Sequence, residues 1–483
     1  MESHKKQYQR SYCINLVMLT NQEKFFYGIG ASANGIKTDA FTYFLLFFYS
    51  NIIGLSPGLS SLAIFIALCV DAVTDPLMGV ISDRTNHKNG RRHPYFLLGI
   101  LPMSLSYFML FAINSDWGFS QTQLFLWMLI FTIFTRLGIT LFDVPHRSLG
   151  SEMSQSYSER TSIFSWRELL QTAGGLTNAL LAYSVFFRAT TEYKVGLLNP
   201  EPWIYYGFTG ACLMAIAVLT TYFGTLQYKH NRNAIQSYSL GDLIKQILTA
   251  LKNRNFILFF FGYLFIASSW GISSSLQLYV TTYFWEFETS MLTFFIPIYA
   301  FATLSAFLIL NLFTSKFEKR NLLMIAIFVA AFINALPFPL AIFGLLPEFG
   351  SWKLFFATAP FLFVTSTGLV ASAIIRESML GDISDEVQLN TGFGQQGLMF
   401  ASSSFIGKLN TGLGILLSGL LLELIKFPQG QDAIPNANQI FNLAFTQGPF
   451  VSLLMIIPFF IFYFYKIDRK RHNEIISEIK KKL

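Results

Sequence analysis

The stretch SSLAIFIALCVDAVTDPLMGVISDR, residues 60–84, decides the fold. A bilayer crossing takes about 20 mostly apolar residues, and this run supplies them. Yet Asp71 and Asp75 stand inside it. Their i, i+4 spacing puts both on one helix face. Two carboxylates that close remain in apolar surroundings only around a shared cation or proton. Hard oxygen donors suit Na⁺, and a shared proton suits H⁺. Thr74 offers a further hydroxyl, and Pro76 loosens the helix by removing one backbone bond.

The rest of the chain has the same character. Of 483 residues, 53% are hydrophobic and only 13% charged, with 53 Phe, and the mean hydropathy is +0.47. So few charges cannot cover the surface of a water-soluble enzyme of this size, and so much apolar mass excludes disorder. The three cysteines, Cys13, Cys69 and Cys212, show neither disulfide nor zinc spacing. The polar start, MESHKKQYQR, has no cleavable-signal pattern. The net charge of +7 is read as loop bias in a membrane protein, so no nucleic-acid partner is expected.

Apolar runs predict spans at 26–50, 60–82, 94–113, 122–146, 162–187, 203–226, 254–283, 290–313, 321–345, 353–376, 395–424 and 448–467. This is an all-α membrane protein of twelve transmembrane helices. Of 34 Lys and Arg, 26 fall on the side shared by the two termini, four on the opposite side and four inside spans. Basic loops stay cytoplasmic, so both termini are placed there. The polar break 227–253 parts the spans six and six; its second half, LGDLIKQILTALKN, has the periodicity of a helix lying on the membrane surface. The expected domains are an N-terminal six-helix bundle (1–226), a cytoplasmic linker (227–253) and a C-terminal six-helix bundle with a cytoplasmic tail (254–483).

An ionisable group inside a span costs roughly 2.5–3.5 kcal/mol on insertion scales, so each marks a candidate site. A helix-holding ion pair is the plainer role open to every one. In TRLGITLFDVPHRSLG (135–150), Thr140 and Arg136 share a face with Asp143, and Arg136 is expected to pair with it structurally. SIFSWRELLQTAGGLTN (162–178) carries Arg167 and Glu168 beside small residues that allow close helix approach. Lys408, in SSSFIGKLNTGLGILLSG (402–419), needs an acceptor from another span, with an aspartate as the candidate. Lys37 and Asp39, in NGIKTDAFTYFLLFFYS (34–50), are two apart and so on different faces; Lys37 is a candidate for an acceptor-rich or anionic substrate.

The loops on the basic side carry opposed charges. GVISDRTNHKNGRRHPY (79–95) holds Asp83, Arg84, Arg91 and Arg92; SEMSQSYSERTSIF (151–164) holds Glu152, Glu159 and Arg160; ESMLGDISDEVQLNTGFGQQG (377–397) holds Asp382, Asp385 and Glu386. Basic groups set against Glu152, Asp382 and Glu386 would close one end of a cavity, with Asp83 accepting from neighbouring Arg groups and Arg160 joining the ring. Solvated loops are the other reading.

Together YGIGA (27–31), residues 71–95, 141–161, 377–392 and GKLNTGLG (407–414) resemble the glycoside–pentoside–hexuronide:cation symporters of the major facilitator superfamily, in order across both halves. The resemblance implies two pseudo-symmetric six-helix bundles and secondary active transport: symport of a sugar, glycoside or hexuronide with Na⁺ or H⁺ in a cell inner membrane. A monomer suffices. No cofactor and no metal beyond the coupling cation are implied. By the match to melibiose-carrier-like members, Asp71, Asp75 and Thr140 correspond to cation-site residues, with Thr74 where they carry Asn. Asp143 and Arg167 correspond to sugar contacts and Lys408 to a central Lys. The sequence departs at Gly35, where they carry a sugar-binding Asp, and at Arg147, where they carry a stacking Trp; Lys37 and Asp39 are additional. Relatives of the same fold carry lysophospholipids, which keeps an amphipathic anion as the alternative substrate. A membrane prenyltransferase, which also spaces its aspartates, would need them at the mouth of a span, whereas Asp71 lies mid-span.

Overall fold

The computed structural model describes residues 18–154, 157–228, 253–314, 316–391, 396–430 and 434–482. Most of the 227–253 linker with its surface helix, and the loop 392–395, lie outside them.

The described chain is helical. Helix α1 (21–53) starts at a capping box, in which Thr20 accepts from the Glu23 N–H while Glu23 reaches back to Thr20. Burial pushes the Glu23 carboxyl up, but hydrogen bonds from Tyr228, Thr20 and Gln227 outweigh it and hold it below the usual carboxylate range. That contribution to stability is therefore present above the unfolded pKa of Glu23 and lost as pH falls through the folded one. Helix α1 then passes through two wide turns, Ala40–Phe44 and Phe48–Ile53, where the hydrogen bonds run i to i−5.

The other runs are α2 (Pro57–Arg84), α3 (His93–Phe111), α4 (Gln121–Met153), α5 (157–186), α6 (Pro202–Tyr228), α7 (Arg254–Phe284), α8 (Thr289–Phe313), α9 (Lys319–Ile342), α10 (Trp352–Thr391), α11 (Gln396–Leu424), α12 (Ala437–Tyr463) and the tail helix α13 (Arg469–Lys482). Nine helices among the described residues are long and apolar enough to cross a membrane. Helices α1, α5 and α11 are the runs 21–53, 157–186 and Gln396–Leu424 that carry Lys37 and Asp39, Arg167 and Glu168, and Lys408. Prolines open α2, α3 and α6 in the first turn, where the missing N–H has no intrahelical partner to lose. Large apolar side chains lie on outer faces, among them Leu98, Leu101 and Leu105 on α3 and Phe301, Leu304, Phe307 and Leu308 on α8. Patches of that extent on a helical protein belong against lipid.

The contacts resolve two compact units. The first takes the chain up to Phe41, then Cys69–Phe186, then the run from Pro200 through α6; the second takes Thr42–Leu68, Phe187–Asn199 and α7 onward. In the first unit α1 packs on α5 and α6, and α3 packs on α4 and α6. In the second, α7 packs on α11 and α12, and α9 packs on α10 and α12, the same order shifted by six helices. Glycine enables a close crossing in the second unit: a Cβ on Gly271 of α7 would lie 2.6 Å from the Thr411 carbonyl of α11. The second unit also buries a core of Phe256, Phe259, Ile327, Met379 and Phe462. There Glu423 accepts from Ser56 Oγ at 2.9 Å and from the Gly58 N–H at 3.1 Å, placing a carboxylate at the N-terminus of α2.

Candidate functional site

In the first unit, α2 and α4 bring three oxygens together. Thr140 Oγ1 on α4 lies 3.0 Å from Asp71 Oδ1 and 2.8 Å from Asp75 Oδ1 on α2. A threonine hydroxyl has one proton to donate. It serves one carboxylate; the other contact needs a proton on the carboxyl or a cation between the oxygens. Arg136, one turn before Thr140, donates from Nη1 to Asp71 Oδ2 at 3.2 Å and lies over the Phe41 ring at 5.3 Å. Asp71, Thr140 and Arg136 are all buried. Thr74 turns its hydroxyl back to the Asp71 carbonyl at 3.3 Å, onto its own helix.

The expected Arg136–Asp143 pair is thus corrected: Arg136 pairs with Asp71. Seven residues of helix put Asp143 about 10 Å along α4, and its oxygens are already engaged. Arg167 Nη2 of α5 donates to Asp143 Oδ1 at 2.6 Å, and Arg147 Nε donates to Asp143 Oδ2 at 2.8 Å. Arg167 also donates to Glu168 through Nη1. The Arg167 side chain is buried (1% exposed), whereas that of Arg147 is 52% exposed. Four carboxylates (Asp71, Asp75, Asp143 and Glu168) stand with three guanidiniums (Arg136, Arg147 and Arg167). Beneath them His146 packs on Tyr27 with ring centroids 4.3 Å apart, and its Nε2 lies 2.8 Å from the Tyr27 carbonyl, tying α4 to α1.

Lys37 is buried on α1, and Lys408 is half-buried on α11 in the second unit. Gly35 has a steric reason for being glycine. A Cβ there would lie 1.9 Å from the Gln171 carbonyl oxygen of α5. Any side chain there would have to push α1 and α5 apart. Gly35→Ala is expected to wedge α1 from α5 and lower the thermal midpoint of the purified protein by several degrees, read by a thermal-unfolding scan.

At one end of the first unit, Glu152 Oε1 accepts from Arg91 Nη2 at 2.7 Å and from Arg92 Nη2 at 2.8 Å. Arg92 also donates to Asp83, and to Ser82 Oγ at 2.7 Å. Both guanidiniums are nearly inaccessible, at 2% and 4%. Arg84 is exposed, and Arg160 Nε donates to the Ser154 carbonyl at 2.8 Å. Within the second unit, Asp382 pairs with Lys319 Nζ at 2.7 Å, with His472 Nδ1 standing 3.4 Å away, while Glu386 accepts from Asn253 at 2.7 Å and from Asn255 at 2.9 Å. Sequence reasoning missed the buried pair Lys24–Glu159 at 2.9 Å and the Tyr27–His146 stack. Both join residues over 100 positions apart, and one sequence carries no signal for such pairs.

Helices with apolar outer faces and an interior network of carboxylates, guanidiniums and a shared hydroxyl fit a membrane transporter. The profile of the family described as MFS/sugar transport protein matches residues 26–469. The chain belongs to that family, the glycoside–pentoside–hexuronide:cation symporters of the major facilitator superfamily. It is similar to a putative glycoside/cation symporter of Escherichia coli, 23% identical over 87% of this chain and 86% of that one. It is also similar to an isoprimeverose transporter of Lactiplantibacillus pentosus, 22% identical over 98% and 94%. Among solved structures, the partially occluded, inward-open xylose transporter of Escherichia coli superposes with a TM-score of 0.60 at 12% identity, over 93% of this chain and 98% of that one. This last likeness concerns the fold.

Proposed function

We propose that the protein couples the movement of one Na⁺ or H⁺ to the uptake of a sugar, glycoside or hexuronide. The observation that carries this is the Thr140 hydroxyl in reach of both Asp71 and Asp75. One proton cannot satisfy two carboxylates, and Arg136 bonds to Asp71. A monovalent cation held by Asp71, Asp75 and Thr140 completes the arrangement, and Thr74 joins only if its hydroxyl leaves the helix backbone. Asp143 and Arg167, with Arg147 above them, form the sugar-binding group, to which we add Lys37 and Lys408. Relatives named for glycosides and isoprimeverose support a carbohydrate as substrate.

The working parts are two six-helix halves, 1–226 and 254–483, joined by 227–253, which expose the site to one side at a time. The packing order that repeats after six helices supports this division. Asp83, Arg91, Arg92 and Glu152, with Arg84, Arg160, Asp382 and Glu386, are its gate groups. The protein functions as a monomer in the inner membrane with both termini in the cytoplasm.

A thermal-shift panel of sugars, uronides and lysolipids on purified protein, with and without Na⁺, tests the function. A ligand bound at about 100 times its Kd stabilises by about 2.7 kcal/mol. A sugar or uronide whose stabilisation grows with Na⁺ is the expected result; stabilisation by lysolipid alone would replace carbohydrate with an amphipathic anion.

A further inference from the structure

The transport scheme makes no use of Asp39. This carboxylate ends the regular helix Ala31–Asp39, immediately before the wide turn Ala40–Phe44. Such turns break the regular backbone ladder and recur at functional positions in helices. Asp39 Oδ2 accepts from Asn178 Nδ2 of α5 at 2.8 Å, and the same nitrogen donates to Tyr206 OH of α6 at 2.7 Å. Tyr107 of α3 stands next to Asn178 and Tyr206.

The charged groups of the surrounding helices are directed elsewhere. Arg136 of α4 is engaged with Asp71 and Phe41. Arg167 and Glu168 lie ten or more residues back along α5, about 15 Å away. On α1 itself, Lys37 is two positions off and so on another face. Among the described residues, the groups that act on Asp39 are neutral: an amide, with phenols behind it. An ionised carboxylate set among neutral dipoles inside a bilayer is poorly compensated, and taking up a proton removes the charge. Asp39 is half-buried, so a proton can reach it.

We propose that Asp39 is a proton-binding site separate from the Asp71–Asp75 pair, and that its loading is tied to the packing of α1 against α5 and α6. The proposal is independent of which ion the pair takes. With the proton bound, the Asp39–Asn178–Tyr206 chain is neutral throughout; once the proton leaves, the amide of Asn178 alone faces the charge.

The test uses the full-length protein in phosphatidylcholine vesicles, with the proton as the only ligand. Infrared difference spectra are taken as pH rises from about 5 to 9, above the range of an unperturbed carboxyl. A protonated-carboxyl carbonyl band is expected to disappear over that range. It should be absent from Asp39→Asn, retained in Asp75→Asn, and shifted in its titration but still present in Tyr206→Phe. Asp39→Asn should also lose the matching pH dependence of the thermal midpoint while keeping any stabilisation by Na⁺. That last readout separates this site from the cation pair. Spectra in which Asp39→Asn removes no titrating band, or in which every titrating band is lost in Asp75→Asn, would overturn the proposal. If Asp39→Asn does not fold, the Tyr206→Phe and Asp75→Asn spectra still decide.

Discussion

Asp75→Asn leaves the protein folded and abolishes cation-driven accumulation of substrate in reconstituted vesicles. Asparagine keeps the shape of the side chain and can still accept from the Thr140 hydroxyl, now 2.8 Å from Asp75 Oδ1. It cannot hold a cation by charge, and it removes a carboxylate that membrane insertion disfavours, so the fold survives. What disappears is the free energy linking ion to substrate. Couplings of about 1–3 kcal/mol correspond to roughly 5–150-fold changes in affinity. Without the link, Na⁺ no longer tightens substrate binding, and substrate equilibrates across the membrane without being concentrated. Uptake by the variant under an imposed Na⁺ or H⁺ gradient is the measurement. If Asp75→Asn still concentrates substrate, the cation-site assignment fails.

Glu152→Gln has the second large effect, on stability. Glu152 Oε1 gathers Arg91 at 2.7 Å and Arg92 at 2.8 Å, and both guanidiniums are nearly sealed from solvent. Glutamine preserves volume and an acceptor oxygen but removes the charge. Arg92 keeps its bond to Asp83, but both guanidiniums lose the charge they gather on. Breaking a buried pair by removing one partner costs about 3–5 kcal/mol, because the remaining charge stays desolvated. A substantial fall in the thermal midpoint is expected, whereas Arg84→Gln, at an exposed position, should change it little. Equal midpoints for Glu152→Gln and the parent protein would show that the cluster is solvated and carries no such load.

The apolar runs of the sequence match the described helices because a bilayer imposes a length and a polarity on every crossing segment. Asp71 and Asp75 were legible for a similar reason. Spacing within one helix fixes which groups share a face, and a carboxylate pair inside a span is rare enough to stand out. Thr140 came from family resemblance, and the geometry then supplied the cause, one hydroxyl between two acids. Partner choice between helices was not legible. Arg136 shares a face with both Thr140 and Asp143, and only the docking of α2 against α4 turns it to Asp71. Lys24 and Glu159 read as loop charges, yet they meet at 2.9 Å as a buried pair. Gly35 read as a lost sugar ligand, and only the Gln171 carbonyl of α5 explains it as a point of contact.

Helix α10 runs unbroken for 40 residues, from Trp352 to Thr391. At 1.5 Å per residue that is about 60 Å, twice the roughly 30 Å of hydrocarbon it must traverse. Near its end Asp382 bonds to Lys319 Nζ at 2.7 Å. A rod of that length is a mechanical amplifier: a tilt of about 5° at its fixed end sweeps its tip through about 5 Å. Phe355, packed on Phe287 and Phe295, is about 40 Å along the helix from Asp382, so such a tilt at Phe355 would move Asp382 by about 3.5 Å.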